Sequence, residues 1–144
     1  MSETLFGNAG TAPNNDERLV DAYVEIGRTL DDLPYTQDFE ALLERIGVGV
    51  EAAGRREVFH RLHNLRKASK LPKLGRGETA PTLVEPEEER LLVQLVTASV
   101  GTLGQRDQLL YDAKFDEIVG TFNEKTGRSM TPHTVWRLVA KLAK

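Results

Sequence analysis

The sequence contains no cysteine, only 6% aromatic residues and no long hydrophobic run. The lack of cysteine excludes disulfides, thiol nucleophiles and cysteine-ligated zinc, and it is typical of reducing compartments, so we expect a cytoplasmic protein. The small number of aromatic residues argues against a surface that binds single strands by base stacking. Because a membrane span needs about 20 apolar residues in succession, we expect no membrane-spanning helix and no membrane partner.

The composition that remains is that of a globular protein. The chain has 144 residues, of which 40% are hydrophobic and 28% charged, so it can form one ordinary domain or two very small ones. It has no Ser-His-Asp order, no phosphate-binding loop and no metal motif. His60 and His63 have a spacing that metals accept, but no carboxylate cluster accompanies them. We therefore expect no catalysis, no cofactor and no metal.

Apolar residues recur at helical spacing in six segments, which predicts an all-α protein. The first three segments begin at Asp16, at Thr36 and near Gly54. Asp16 and Thr36 suit the N-cap position, where a side-chain oxygen accepts a backbone N–H. These segments predict a first three-helix unit over residues 16–68, preceded by a mobile tail over residues 1–15.

Residues 69–86 separate this unit from the rest of the chain. They contain three prolines and two glycines, which predicts a linker, with a short hairpin centred on Arg76 as the alternative. Beyond them, residues 87–144 predict a second three-helix unit. The last helix has the clearest start, since Thr131 suits the cap and Pro132 the first helical position. The three helices of this unit are predicted to begin at Glu87, Asp112 and Thr131.

The two predicted units resemble each other in sequence. Residues 31–42 match residues 107–118 at an offset of 76, and residues 57–67 match residues 134–144 at an offset of 77. One inserted residue between the two blocks accounts for the difference. This pattern predicts two tandem units from an internal duplication. The alternative is a single six-helix bundle in which the similarity is coincidental, because amphipathic helices can agree in pattern alone.

Charge is unevenly distributed along the chain, although the net charge is only −3. Residues 1–54 carry a net charge of −8, residues 55–76 carry +7 and residues 77–144 carry −2. We call residues 55–76 the basic block. A basic segment within an acidic chain attracts polyanions or pairs with the acidic surface of the protein itself.

The third helix of each unit has a polar face opposite its apolar face. On a helical wheel of about 100° per residue, Val58 and Phe59 of the first unit lie on the inner face, as do Val135 and Trp136 of the second. The outer faces carry mainly basic and amide side chains. These are Arg56, His60, Asn64 and Lys67, with His63 beside them, and His133, Arg137, Lys141 and Lys144.

A three-helix unit whose last helix exposes basic and amide side chains resembles the helix-turn-helix superfamily of DNA-binding proteins in architecture. The resemblance implies that the third helix enters the major groove of double-stranded DNA, where Lys and Arg neutralise phosphates and Arg and Asn read base edges. The threonines at the start of the last helix can hold a phosphate. With the basic block, the implied nucleic-acid-binding residues are Arg55, Arg56, His60, Arg61, His63, Asn64, Lys67, Lys70, Lys73, Arg76, Thr131, His133, Thr134, Arg137, Lys141 and Lys144.

A second interpretation remains open at this point. Exposed helix positions are usually charged, and basic residues near the end of a helix complement its dipole. In this interpretation the basic helix docks an acidic surface of a partner protein or of a second copy of the chain. The sequence therefore favours a DNA-binding or transcription-regulating protein, with an assembly adaptor that mediates protein interaction as the alternative.

Overall fold

The computed structural model describes residues 12–49, 51–74 and 83–143, and every regular element within them is helical. The prediction of an all-α fold is confirmed. Two 3₁₀ helices, Leu30–Asp32 and Leu103–Leu109, accompany the longer helices. The chain divides into two compact units, of which the first contains α1 to α3 and the second contains α4 to α6. The α-helices are α1 (Ala12–Ile26), α2 (Gln37–Arg45), α3 (Ala52–Lys67), α4 (Pro86–Val100), α5 (Ala113–Thr126) and α6 (Pro132–Leu142).

Three of the predicted helix starts are confirmed by their capping bonds. The hydroxyl of Thr36 accepts the N–H of Phe39 at 3.2 Å, at the start of α2. The carboxylate of Asp112 accepts the N–H of Lys114 at 2.9 Å, at the start of α5. At α6, Thr131 is the cap and proline occupies the first turn. Each bond satisfies a backbone donor that the helix itself leaves without a partner.

The starts of α1 and α3 differ from the prediction. α1 begins at Ala12 instead of Asp16, so four residues of the predicted tail belong to a helix, while residues 1–11 lie outside the described part. α3 begins at Ala52, two residues before Gly54. A Cβ atom at Gly54 would stand 3.2 Å from Cγ1 of Val48, so the lack of a side chain there lets the preceding loop pack on the first turn.

The core of the first unit forms where α1, α2, α3 and the 3₁₀ helix bring their apolar faces together. All four elements contribute side chains that are removed from water, which is the main favourable term in folding. The predicted inner face of α3 is confirmed, and Leu33 joins the core from the connection between α1 and α2. The buried residues of this unit include Leu19, Tyr23, Leu30, Leu33, Phe39, Leu42, Leu43, Val58, Phe59 and Leu62.

The core of the second unit is built around Trp136, which is fully buried. The ring of Phe115 meets it edge to face, with centroids 5.9 Å apart and planes inclined by 75°. This geometry is favourable for aromatic pairs because a positive ring edge meets a negative face. The core extends further around α6 than predicted, since Leu138 and Ala140 are also buried. Other core members are Leu92, Val96, Leu109, Leu110, Ile118, Phe122, Val135 and Val139.

Tyr35 and Tyr111 share an uncommon backbone conformation. Their φ angles are 65° and 58°, in the left-handed region that residues other than glycine rarely adopt. Each tyrosine follows a 3₁₀ helix and directly precedes the residue that caps the second long helix of its unit, Thr36 or Asp112. The two units therefore turn the chain in the same way before their second helix.

Candidate nucleic-acid interface

Three arginines of the basic block are engaged in ion pairs within the first unit. Arg55 donates to Glu40 on α2 at 2.7 Å. Arg66 donates to Asp31 of the 3₁₀ helix at 3.3 Å. The guanidinium of Arg61 makes two bonds to the carboxylate of Asp16 on α1, at 2.9 and 2.7 Å. These contacts bind α3 to its neighbours, so Arg55 and Arg61, both predicted to contact a nucleic acid, are engaged within the first unit.

The lysines of the basic block behave differently from the arginines. Lys67, Lys70 and Lys73 are exposed, and none of the three makes an ion pair or a side-chain hydrogen bond within residues 12–49, 51–74 and 83–143. Arg76, the remaining predicted cation of this segment, lies outside the described residues. These three lysines are therefore exposed cations without a carboxylate partner in the described part of the segment.

The way in which α3 ends determines the position of Lys70 and Lys73, which follow it. Ser69 adopts a φ of 59°, and its N–H donates to the carbonyl of Arg66 at 3.0 Å. The N–H of Lys70 donates to the carbonyl of Leu65 at 2.8 Å. These two bonds and the left-handed residue form a Schellman motif, which ends a helix and satisfies its last carbonyls. Lys70 and Lys73 thus follow α3 on a chain that has turned away from the helix.

The outer face of α3 carries four exposed residues in one line, Glu57, His60, Asn64 and Lys67. Their spacing of three, four and three residues keeps them on one side of the helix. His63 does not belong to this face, contrary to the prediction. Only 6% of its surface is exposed, and its ring meets the edge of Phe59 with centroids 6.0 Å apart. Arg56 is half-buried at the margin of the face.

The outer face of α6 is narrower than that of α3. Lys141 is exposed, whereas His133, Thr134 and Arg137 are half-buried. The predicted direction of this face is confirmed, since the residues on the opposite side of α6 are buried. Thr131 is exposed, but its hydroxyl already accepts the N–H of Thr134 at 3.2 Å. That N–H is occupied, which weakens the predicted phosphate contact at this helix start.

Two side chains hold the turn between α5 and α6, those of Asn123 and Arg128. Gly127 ends α5 with a φ of 72°. The amide of Asn123 donates to the carbonyl of Met130 and accepts its N–H, both at 2.9 Å. Arg128 makes two bonds to Glu88 on α4, at 2.7 and 3.0 Å. Through these bonds Arg128 lowers the pKa of the Glu88 carboxyl, and Glu88 raises the pKa of the Arg128 guanidinium.

Other kinds of site are not indicated by the described part of the chain. No group of three or more His, Asp or Glu side chains there is arranged to hold a metal ion. None of the helices described has both the length and the apolar character that crossing a bilayer requires. Lys144, the last predicted contact residue, is outside the described residues.

Comparison of the chain with protein-family models, with characterised proteins and with solved structures gave no match. The interface is therefore interpreted from its own geometry. That geometry adds one residue that the sequence interpretation missed, Glu57. Its place on the same helical-wheel face as Asn64 was the signal that could have identified it.

Proposed function

We propose that the protein binds double-stranded DNA through its first unit, as a DNA-binding or regulatory protein. The observation that carries this proposal is that arginines and lysines of the basic block differ in whether they form ion pairs. Arg55, Arg61 and Arg66 are paired to carboxylates of their own unit. Lys67, Lys70 and Lys73 are exposed without such pairing in the described part of the chain. Unpaired, exposed lysines are suited to neutralise phosphates.

The arrangement of helices supports a helix-turn-helix mode of binding. In both units a glycine with positive φ, Gly47 or Gly127, follows the second long helix, and the third helix exposes a polar face. In such architectures the third helix lies in the major groove. α3 offers Asn64 and the lysines in this role. α6 offers Arg137 and Lys141 as a second, smaller contact, so the two units contribute unequally.

The similarity of the two units supports their origin by internal duplication. Tyr35 and Tyr111 match in backbone conformation as well as in sequence position. Phe39 and Phe115, four residues later in each unit, are both fully buried. The helices differ in length, since α5 has 14 residues and α2 has 9, while α3 has 16 and α6 has 11. Such differences are expected if the copies diverged after duplication.

The salt dependence of binding provides a quantitative test. Each phosphate contact contributes about 0.9 to the slope of log affinity against log salt. Three lysine contacts therefore predict a loss of about 40-fold in affinity between 50 and 200 mM salt. The measurement is fluorescence anisotropy of a labelled duplex. Absence of binding at 50 mM salt would overturn the proposal, because phosphate contacts are strongest there.

A matched pair of double variants separates the site from the effect of net charge. Lys67→Glu with Lys70→Glu removes two of the proposed contacts. Lys114→Glu with Lys125→Glu makes the same change in charge at exposed positions of α5. We expect the first variant to lose binding at 100 mM salt and the second to stay within about twofold of the wild type. Equal losses in the two variants would mean that binding depends on overall charge alone.

A second candidate function is supported by the charges of the second unit. Asp116, Glu117 and Glu124 are exposed on α5, while Arg137 and Lys141 face outward from α6. The unit thus exposes an acidic cluster on α5, flanked by Lys114 and Lys125, and a basic pair on α6. These can dock an acidic partner or a second copy in a head-to-tail contact. This is the assembly-adaptor alternative.

Light scattering of charge-swapped variants tests this alternative. Arg137→Glu with Lys141→Glu should abolish association, and so should Asp116→Lys with Glu117→Lys. A mixture of the two variants should associate again, because the reversed charges are complementary. A wild-type protein that stays monomeric at 50 mM salt would exclude the self-association form of this candidate.

A further inference from the structure

Glu57 is an acidic side chain in the middle of a face that we propose to meet DNA. It is exposed, and it lies in line with His60, Asn64 and Lys67 on the outer side of α3. A carboxylate at this place is repelled by phosphates and lowers the affinity for any DNA that it approaches without a compensating contact. Its position on this face is therefore unfavourable for binding that depends on phosphate contacts alone.

The usual structural explanations do not account for Glu57. α3 begins at Ala52, and its first turn contains no acidic residue, so Glu57 lies beyond the turn in which the helix dipole stabilises a carboxylate. Arg61, four residues later, is the natural partner on the same helix. The Nε and Nη2 groups of Arg61 donate to Asp16 instead. Within the described residues the carboxylate of Glu57 makes no ion pair and no hydrogen bond.

We infer that Glu57 is a specificity-determining residue that accepts a hydrogen bond from the N4 amino group of cytosine in the major groove. This inference rests on the proposed DNA-binding function and deepens it. Among base edges in the major groove, the cytosine amine is the donor that a carboxylate pairs with, whereas guanine presents only acceptors there and repels it. The carboxylate thus weakens non-specific binding and favours sites with cytosine at one position.

Asn64 supplies a second base contact at a defined distance. An asparagine amide pairs with the N7 and N6 groups of adenine. Seven residues separate Glu57 from Asn64, which is about 10.5 Å along the helix axis. A helix in the major groove follows the groove and not the DNA axis, so side chains two turns apart reach base pairs about two steps apart, as in zinc-finger helices that read three successive bases. The preferred site therefore combines a C·G pair and an A·T pair at that spacing, with lysine contacts to the flanking phosphates.

Selection from a random duplex library at 150 mM salt tests the inference. The wild-type protein should enrich cytosine at one position and adenine about two steps away. Glu57→Gln should lose the preference for cytosine by about tenfold or more and prefer adenine there, because glutamine pairs with adenine. The control, Glu44→Gln, removes an exposed carboxylate of α2 and should enrich the same sites as the wild type. Circular dichroism of the variants confirms that the helices are retained.

The outcomes distinguish this inference from the proposed function. If Glu57→Gln enriches the same sites as the wild type, or if the wild type binds duplexes without enriching any sequence, the inference is wrong and DNA binding stands. If the wild type binds no duplex even at 50 mM salt, the proposed function fails and the inference fails with it. Loss of the cytosine preference in Glu57→Gln alone supports both.

Discussion

Arg61 and Asp16 form a bidentate ion pair that joins α3 to α1 across 45 residues of sequence. About 41% of the Arg61 side chain and 30% of the Asp16 side chain remain exposed, so water screens the pair. A double-mutant cycle with Asp16→Asn and Arg61→Gln should give a coupling of about 0.5 kcal/mol in the free energy of unfolding. Urea denaturation measures it, and the coupling should shrink in 0.5 M salt. A coupling energy that salt does not reduce would contradict an origin in the ion pair between Asp16 and Arg61.

Gly120 is expected to weaken α5. It lies in the middle of the helix, and a Cβ atom added there would meet nothing within 4 Å. Gly120→Ala should therefore raise the free energy of unfolding by about 0.5–1 kcal/mol, since alanine loses less backbone entropy in a helix. Gly54→Ala in α3 is the control, because its Cβ would approach Val48 to 3.2 Å and the contact offsets the gain. Equal gains at both positions would contradict the role given to Gly54.

Ser69 occupies a position that favours glycine. Its φ of 59° places a side chain in the left-handed region at the end of α3. Ser69→Gly should stabilise the protein by about 0.5–1 kcal/mol, because relief of the steric cost exceeds the added freedom of the unfolded chain. The neighbouring substitution Ala68→Gly, at a φ of −85°, should bring no gain. Thermal unfolding of the two variants distinguishes them, and a stabilised Ala68→Gly would refute the explanation.

Glu88 should make stability depend on pH. Its bond to Arg128 lowers the pKa of its carboxyl below the ordinary value of 4.5. A group with a lowered pKa in the folded state contributes stability above its unfolded pKa, and this contribution is lost as the pH falls through the folded pKa. Glu88→Gln should therefore lower Tm at pH 7.

The difference in Tm between Glu88→Gln and the wild type should disappear at acid pH. As the pH falls below the pKa of folded Glu88, the wild-type carboxyl becomes neutral, and the Tm values of the two proteins should converge. Glutamine can still accept the N–H of Glu85, as the Glu88 carboxylate does at 2.8 Å. The capping contact is thereby kept while the charge is removed. A difference in Tm that persists unchanged at pH 3 would mean that the ion pair is not its source.

Helix starts and buried faces could be predicted from the sequence because both depend on local patterns. Thr36, Asp112 and Thr131 each bond to a backbone N–H two or three residues ahead, so the residue type and its place before an apolar repeat suffice. Phe59 and Trp136 were predicted to face inward from helical spacing alone, and both are fully buried. The all-α character of the fold follows from the same repeats.

The electrostatics of the interface could not be predicted in the same way. Glu40 lies 15 residues from Arg55, and Asp16 lies 45 residues from Arg61, so only the packing of α1 and α2 against α3 brings these charges together. His63 lies at the edge of the apolar face of α3, where burial depends on the neighbouring side chains and not on the helical period. The sequence shows where the cations are, but the fold determines which of them remain available.

The double bond between Asn123 and the backbone of Met130 has a consequence for how this region tolerates change. The amide of a helical residue, together with Gly127 and Arg128, determines the course of the chain before α6. Replacements other than proline at Ser129 and Met130 should therefore leave the direction of α6 intact as long as Asn123, Gly127 and Arg128 are kept. The surface of the connection between α5 and α6 can therefore change in sequence while the orientation of α6 is kept.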